Sequence, residues 1–372
     1  MDIMNVEGDL MKRIAMLLIF CLLTACAGQT PASAPPTAAP ALPPPAVYTL
    51  PPRRNRTPVP QPTQAPTITL EPTNTPAQAP LDLFKPYTIP VLRSRGYSGG
   101  TLEDLGAMGM GDTFTRYYFR YTSDGLKIYG FMNIPQGDGP FPVIIAAHGY
   151  TDQATYDTLD YTTDLADMMT RDGYIVLHPN LRNYRPSGDG DNLFRVGMTV
   201  DVLNLVALVK LQAGQEGLLE KADPARIGLW GHSMGGGIVL KAATISPDIK
   251  AVLLYASTSG DEQKNSQFFY DSTGSVDNLQ ELTASPGNFR EISPSSYYAD
   301  ITAAVALYHG TADSAVPLEW AQETCDQLKA AGVTVECHFY EGADHTFRSR
   351  YMGQFGPSVS AFYDTYLRNS KP

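Results

Sequence analysis

Residues 226–237, RIGLWGHSMGGG, decide the fold of this chain. The first five residues predict a buried strand, and residues 235–245 predict a helix. Ser233 therefore lies in a G-x-S-x-G turn between a strand and a helix, where glycines allow the two elements to approach closely. Such a turn presents the serine hydroxyl at a sheet edge, beside helix amides that favour negative charge. We expect Ser233 to be a nucleophile; a glycine-rich turn with a capping serine is the alternative.

Strand and helix patterns alternate on both sides of this turn. Residues 115–121 and 126–133 predict two strands joined by a tight turn, and residues 142–147 (PVIIAA) predict a strand buried on both faces. An amphipathic helix is expected at 200–212, with Asp201 in its first turn. Repeated strand–helix units imply an α/β fold, with a mainly parallel sheet and helices on both faces. The other predicted strands are 174–178, 251–255, 304–309 and 334–340, and the other predicted helices are 157–170, 317–331 and 358–367.

A serine nucleophile needs a neighbouring base, and histidine held by a carboxylate serves this role in hydrolases. In a parallel sheet the site lies beyond the carboxyl ends of the strands. His345 follows the last predicted strand on a loop, whereas His338 falls inside that strand and His309 ends the strand before it. Asp313 comes soon after His309, at the end of a strand, and is the expected acid.

Two other aspartates compete with Asp313 for this role. Asp344 adjoins His345, and a neighbouring residue cannot easily fold back to orient the imidazole. Asp300 precedes a predicted strand instead of following one. We therefore expect Ser233, Asp313 and His345 to form a catalytic triad.

Three ordered motifs accompany the serine turn: SP…YADI at 293–301, LYHGTADSAVP at 307–317 and EGADHTF at 341–347. Together they resemble the catalytic domain of the prolyl oligopeptidase family, and they are similar to dienelactone-hydrolase-like esterases. The resemblance covers residues 115–367 and implies the α/β-hydrolase fold. It also implies that the aspartate of H-G-x-x-D, Asp313, and the histidine of G-x-x-H-x-F, His345, complete the triad.

Backbone amides are expected to hold the oxyanion of the tetrahedral intermediate. One donor should be the amide of Met234, directly after the nucleophile. The related families use the amide that follows H-G after the central strand, which implies Tyr150 here. This chain has H-G-Y-T where many relatives have H-G-G. A tight turn without a catalytic role is the alternative.

Residues 257–296, rich in Ser, Asn, Gln and Gly, are expected to form a small cap over the site. The aromatic run at 268–270 either lines a substrate pocket or anchors the cap to the body. Cys325 and Cys337 lie on a predicted helix and the strand after it, and they form either a disulfide or two buried thiols. No Cys/His cluster has the spacing of zinc ligands, so we expect no metal.

The first residues have the layout of an export signal, with a basic start at 11–13, an apolar run at 14–23 and small residues after it. The sequence LTAC at 23–26 resembles the lipobox of bacterial lipoproteins, which implies cleavage before Cys26 and a lipid on that residue. An ordinary cleaved signal is the alternative, and Met11 is the expected start.

We therefore expect a signal peptide at 1–25, a disordered Pro/Ala/Thr-rich spacer at 26–80 and the hydrolase domain at 81–372. The protein would be exported and held on the outside of a bacterial cell membrane by its lipid. The chain has 27 Lys+Arg against 38 Asp+Glu, a net charge of −11, without a basic patch. A nucleic-acid partner is therefore not expected.

The expected activity is cleavage of carboxylic esters, or of small amides, through an acyl-enzyme intermediate and without a cofactor. The substrate would be a small ester or a short peptide. An esterase is preferred because prolyl oligopeptidases select peptides with a large extra N-terminal domain, which the spacer cannot form. A serine peptidase of that type, an acyltransferase and a non-catalytic surface binding protein on the same fold are the alternatives.

Overall fold

The computed structural model describes residues 82–111 and 113–369. The expected signal peptide, the lipid site Cys26 and the spacer lie outside these residues. The chain divides into two units, Met1–Pro76 and Ala77–Pro372, and the second unit holds every described strand and helix. Among the described residues, no helix has both the length and the apolar character needed to cross a membrane.

A single sheet of nine strands runs through the described domain, in the order β1-β2-β3-β5-β4-β6-β7-β8-β9. The first three strands pair antiparallel, and β3 is antiparallel to β5. All pairings from β5 to β9 are parallel, as the repeated strand–helix units predict. The strands are β1 Glu103–Met110, β2 Phe114–Ser123, β3 Leu126–Pro135, β4 Phe141–Ala147, β5 Ile175–Pro179, β6 Ala222–His232, β7 Ile249–Tyr255, β8 Ala304–Gly310 and β9 Val335–Tyr340.

Helices cover both faces of this sheet. The α-helices of the described residues are α1 Ile89–Ser94, α2 Thr163–Arg171, α3 Val196–Gln212, α4 Met234–Ile245, α5 Glu262–Thr273, α6 Val276–Glu281, α7 Pro286–Ile292, α8 Leu318–Ala330 and α9 Ser349–Tyr363. Short 3₁₀ turns lie at Lys85–Tyr87, Leu193–Arg195 and Pro294–Asp300, and a π turn at Asp364–Arg368 continues α9.

Side chains of the central strands alternate between two apolar cores, as the period of two in a strand requires. Ile145 and Leu229 belong to the core beneath α3 and α4, whereas Ile144 and Trp230 belong to the core beneath α2 and α9. The buried strands are apolar on both sides because both faces of the sheet are covered. This architecture is the α/β-hydrolase fold that the sequence predicts.

Several elements differ from the sequence-based expectation, and the largest shift is in α9, which begins at Ser349, nine residues before the predicted start at 358. Helix α2 begins at Thr163, six residues after the predicted start at 157. Helix α3 is buried almost all round, with thirteen of its seventeen residues buried, so the amphipathic interpretation is wrong. Asp201 is the sixth residue of α3, beyond the first turn in which it was expected, and it is fully buried and forms an ion pair with Arg182 at 2.8 Å. Strand β1 was not expected, because all its residues are exposed and show no alternation.

The predicted cap consists of three short helices, α5 to α7, and the 3₁₀ turn that follows them. Polar side chains begin each helix, because Asp261, Ser275 and Ser285 accept hydrogen bonds from first-turn amides. The rings of Phe268 and Phe269 lie 5.1 and 6.5 Å from the ring of Trp320 on α8. These contacts favour the interpretation in which the aromatic run anchors the cap to the body.

The two cysteines of the domain are bonded to each other. The S–S distance between Cys325 on α8 and Cys337 on β9 is 2.05 Å, and their Cα atoms are 6.3 Å apart. The disulfide therefore ties α8 to the edge strand of the sheet.

Candidate active site

Ser233 lies on a sharp turn between β6 and α4, with φ 55° and ψ −119°. A positive φ is unfavourable for a residue with a side chain, and such strain is typical of functional turns. The neighbouring glycines have no room for a side chain. A Cβ on Gly231 would lie 2.2 Å from Gly235 O, and one on Gly235 would lie 2.1 Å from Ala147 O. The amide of Ser233 donates to Tyr255 O over 2.9 Å. The strand, turn and helix around Ser233 are therefore arranged as its sequence predicts.

Asp313 and His345 meet at the carboxyl ends of β8 and β9. His345 Nδ1–H donates to Asp313 Oδ2 over 2.8 Å, and the Asp313 side chain is completely buried. The amides of Ala315 and Val316 both donate to Asp313 Oδ1 over 2.9 Å. Burial alone would raise the pKa of Asp313, but these hydrogen bonds hold it below its usual value. An ionised Asp313 keeps the proton of His345 on Nδ1 and leaves Nε2 free to act as a base.

The two rival aspartates have other partners. Asp344 forms an ion pair with Arg348 at 3.0 Å, and Asp300 forms one with Arg93 at 2.8 Å. Among the aspartates of the described residues, Asp313 alone is hydrogen-bonded to the imidazole of His345. The geometry thus selects the same acid as the order of the motifs.

His232 brings the serine turn and the histidine loop together. Its ring centroid is 4.7 Å from that of His345, and its Nε2–H donates to His345 O over 3.0 Å. Ser233 Oγ makes no hydrogen bond with His345 within 3.5 Å. Catalytic hydrogen bonds are often long before substrate binds and shorten in the complex. The three residues of the predicted triad therefore share one rim, with the bond between serine and histidine not formed.

The H-G-Y loop after β4 lies directly against Ser233. A Cβ on Gly149 would be 3.1 Å from Ser233 Cβ. Neither the amide of Tyr150 nor that of Met234 donates a hydrogen bond to any residue that the structure describes. Met234 opens α4, where the helix itself supplies no acceptor for the amide. Two free donors beside Ser233 can hold an oxyanion.

The H-G-Y loop rests on a buried layer of aromatic and polar side chains. The imidazole of His148 is hydrogen-bonded to Gly149 O at 2.7 Å and to Asn180 O at 2.9 Å. The ring of Tyr184 meets that of His148 edge-on, with their centroids 4.5 Å apart. Burial lowers the pKa of His148. The buried imidazole of His148 therefore holds the H-G-Y loop in place.

Sequence reasoning missed three side chains that contact the site. His309 is buried, and its Nε2 lies 3.3 Å from Asp313 Oδ2 and 3.2 Å from Val316 O. His232 was passed over, although it occupies the variable position directly before the serine. Tyr161 carries no local pattern, yet its hydroxyl lies 2.6 Å from His232 Nδ1. No group of three or more His, Cys, Asp or Glu side chains within residues 82–111 and 113–369 could hold a metal ion.

Comparisons with known proteins show what this chain is similar to in sequence and in fold. A protein from Methylorubrum extorquens described as "Putative carboxymethylenebutenolidase" is 26% identical over 240 residues, which cover 62% of this chain and 72% of that protein. The acylaminoacyl peptidase of Pyrococcus horikoshii superposes with a TM-score of 0.55 at 21% identity, over 70% of this chain. Acetyl xylan esterase 1 from Thermoanaerobacterium sp. superposes with a TM-score of 0.53 at 17% identity, over 75% of this chain and 92% of that one.

The match to the acylaminoacyl peptidase covers only 43% of that longer chain. The family model of the prolyl oligopeptidase family matches residues 160–370, which include the serine turn, the acid loop and the histidine loop. This match spans more than half of the sequence. The chain therefore belongs to the prolyl oligopeptidase family and is a hydrolase.

Proposed function

We propose that this protein is a serine esterase that cleaves small carboxylic esters through an acyl-enzyme intermediate. The observation that carries the proposal is the hydrogen bond from His345 to the buried carboxylate of Asp313, on the rim where the strained turn presents Ser233. A carboxylate-held imidazole beside a serine is the arrangement that activates a hydroxyl nucleophile. No cofactor takes part in this reaction.

In this mechanism, Ser233 Oγ attacks the carbonyl carbon of the ester while His345 Nε2 takes the hydroxyl proton. The amides of Tyr150 and Met234 donate to the oxyanion of the tetrahedral intermediate. The C–O bond to the alcohol then breaks, and His345 returns its proton to the leaving oxygen. Water repeats the sequence on the acyl-enzyme, releasing the acid and restoring Ser233.

Small esters are preferred to peptides for two reasons. The chain is similar in sequence to a protein described as "Putative carboxymethylenebutenolidase", and its fold resembles that of an acetyl xylan esterase as well as that of an acylaminoacyl peptidase. In addition, the cap is small. The segment that leads into it begins next to Ser233, because the amide of Thr258 donates to Ser233 O over 3.2 Å. If these three helices cover the site, as the sequence predicts, they leave room for a compact substrate.

The test measures turnover of short-chain p-nitrophenyl esters and of aminoacyl p-nitroanilides by the wild type and by Ser233→Ala. Removing the nucleophile should reduce ester turnover by at least about a thousandfold. Ser246→Ala, at the far end of α4, is the matched control and should keep full turnover. A fluorophosphonate probe should label the wild type at Ser233.

Three outcomes would contradict the proposal. Unchanged turnover in Ser233→Ala would exclude the mechanism. Faster turnover of the anilides than of the esters would favour a peptidase. No turnover and no labelling of the wild type would favour a non-catalytic binding protein.

We also propose that a lipid on Cys26 displays the domain on the outer surface of a bacterial membrane, with residues 26–80 as the spacer. Several acyl chains together hold a protein stably on a bilayer, whereas one binds only marginally. Expression of the full chain in bacteria should recover it with membranes, and Cys26→Ser should move it to the soluble fraction. An unchanged distribution would contradict the lipid anchor.

A further inference from the structure

We propose that Tyr161 and His232 form a positioning relay that ties the oxyanion loop to the loop of His345. The inference rests on the proposed function, since it assigns roles relative to that triad. Tyr161 and His232 are positioning residues in this proposal, because both act through other groups and not on the substrate.

The relay is a continuous chain of polar contacts across the site. The hydroxyl of Tyr161 lies against the backbone of Gly149, in the H-G-Y loop, where a Cβ would be only 2.1 Å from that oxygen, and the amide of Gly149 is its potential donor. That hydroxyl lies 2.6 Å from His232 Nδ1, and His232 Nε2 lies 3.0 Å from His345 O. The side chain of His232 is almost completely buried, so water does not compete for these bonds.

The chemistry of the two ends fixes the direction of every proton in the relay. The carbonyl of His345 can only accept, so His232 carries its proton on Nε2. Burial lowers the pKa of His232 to about 4, so the ring is neutral at neutral pH and its Nδ1 is an acceptor. Tyr161 therefore donates its hydroxyl proton to His232, and the tyrosine oxygen is free to accept the amide of Gly149. Each donor in this chain has an acceptor.

The surroundings of His232 favour this neutral form. The charged or titratable groups that influence it are His345, Asp313 and His309, and aromatic rings of Trp230, Tyr161 and Tyr255 pack around it. The positive charge of a protonated His345 would oppose a second charge on His232. The relay therefore keeps its direction while His345 shuttles a proton.

Segments at the carboxyl ends of three different strands meet through these contacts. Gly149 follows β4, His232 ends β6 and His345 follows β9. The amide of Tyr150 and the imidazole of His345 must be placed on either side of Ser233 for the reaction to proceed. Misplacement by about 1 Å can cost about a hundredfold in rate. Since the oxyanion exists only in the transition state and the intermediate, displacement of its donor should lower kcat and leave KM almost unchanged.

The first experiment removes the hydroxyl alone, with Tyr161→Phe. This change leaves the amide of Gly149 and Nδ1 of His232 without partners. We expect kcat for a p-nitrophenyl ester to fall by about tenfold to a hundredfold, with little change in KM. Tyr174→Phe is the control, because it removes a hydroxyl that bonds to Asp364 on the C-terminal π turn, and it should keep the wild-type kcat. A wild-type kcat in Tyr161→Phe would overturn the relay.

The second experiment uses His232 and covers the case in which Tyr161→Phe does not fold. Glutamine offers one donor and one acceptor and can replace both imidazole contacts, whereas leucine can replace neither. We expect His232→Gln to retain a larger share of kcat than His232→Leu. Adding Tyr161→Phe to His232→Leu should cause little further loss, because the chain is already broken. Equal effects of Gln and Leu, or independent losses in the double variant, would overturn the relay.

Labelling by a fluorophosphonate separates failure of the relay from failure of the proposed function. If the wild type is not labelled at Ser233, the proposed function fails, and the relay fails with it. If the wild type is labelled and Tyr161→Phe is labelled at the same rate, only the relay fails. Slower labelling of Tyr161→Phe, with unchanged thermal unfolding, supports the relay.

Discussion

The body of this domain is held by apolar packing, whereas the cap combines apolar contacts with a cluster of buried charges. In the body, alternating apolar side chains of the central strands fill two cores on the two faces of the sheet. In the cap, Glu262 of α5 binds Lys241 of α4 at 2.6 Å and also binds Arg195, which precedes α3. Glu281 of α6 accepts the amide of Phe194. The side chains of Lys241 and Glu262 are almost completely buried.

The difference shows where precision is needed. An apolar core tolerates adjustment, because hydrophobic burial has no direction. Buried charges require a partner at a defined distance, since an unpaired one is costly to desolvate. Phe194 and Arg195 both adopt positive φ values, 52° and 58°, which bring their groups to the two glutamates. The cap therefore has one favourable position on the body, against α4 and the segment before α3.

The largest effect is expected from breaking the charge cluster with Glu262→Leu. Lys241 and Arg195 would then lie buried with only Glu281 as a nearby carboxylate. Loss of one partner of a buried ion pair costs about 3–5 kcal/mol of unfolding free energy. Urea denaturation followed by circular dichroism measures this change. A loss below about 1 kcal/mol would mean that the cluster does not hold the cap.

The next effect tests the body with Leu205→Ala on α3. Leu205 has no exposed surface, so the substitution leaves a cavity and should cost about 3 kcal/mol. Leu211→Ala on the same helix is the matched control, because that side chain is 58% exposed. Its cost should stay below about 0.5 kcal/mol in the same denaturation series. Similar losses for the two variants would contradict the burial of α3.

Acid should weaken the body before it weakens the charges of the cap. Burial lowers the pKa of His232 to about 4 and lowers the pKa of His148, His178 and His309 as well. Between pH 6.5 and 4 the unfolded chain therefore binds more protons than the folded one. The free energy of unfolding decreases as the pH is lowered through this range. Burial alone would raise the pKa of Glu262, but Arg195 and Lys241 hold it below its usual value, so the cluster stays charged.

The contribution of a single histidine can be isolated with His232→Gln. The slope of unfolding free energy against pH should become shallower by about 1 kcal/mol per pH unit between pH 6 and 4.5. Urea denaturation at several pH values gives this slope. An unchanged slope would show that His232 titrates normally in the folded protein.

The smallest effect is expected at the exposed junction of cap and body. Lys264 on α5 forms an ion pair with Glu323 on α8, and about two fifths of each side chain is exposed. Water screens such a pair, so Lys264→Met should cost less than about 1 kcal/mol. The measurement is the same denaturation series, and the comparison is with Glu262→Leu. A larger loss of unfolding free energy would show that this exposed ion pair helps to hold the cap on the body.

Local patterns predicted most of the sheet and the order of the candidate site. The ends of strands β4, β6, β7 and β8 lie within four residues of their predicted limits. A strand buried on both faces is a continuous apolar run, which is easily recognised in a sequence. Motif order selected Asp313 and His345, whose side chains the fold brings to 2.8 Å. Strand β1 was not predicted, since exposed residues leave no periodic signal.

The features that sequence reasoning could not predict are those made by partners far apart in the chain. Asp201 was expected in the first turn of an amphipathic helix, whereas it lies buried within α3, where only its contact with Arg182 makes burial tolerable. The sequence of the cap shows only a polar composition. The buried ion pairs that join it to α4 and to the segment before α3 become visible only in the fold. Tyr161 has no feature that marks it until it meets His232.

Local patterns were sufficient to predict the alternation of strands and helices, the sharp turn at Ser233 and the order of Ser233, Asp313 and His345 along the chain. These are local properties, because periodicity, glycine content and motif spacing are written in neighbouring residues. Contacts between distant segments set which charges share a buried cluster, which amides stay free beside Ser233 and which tyrosine reaches His232. Those relations depend on distances across the sheet, which no local pattern contains.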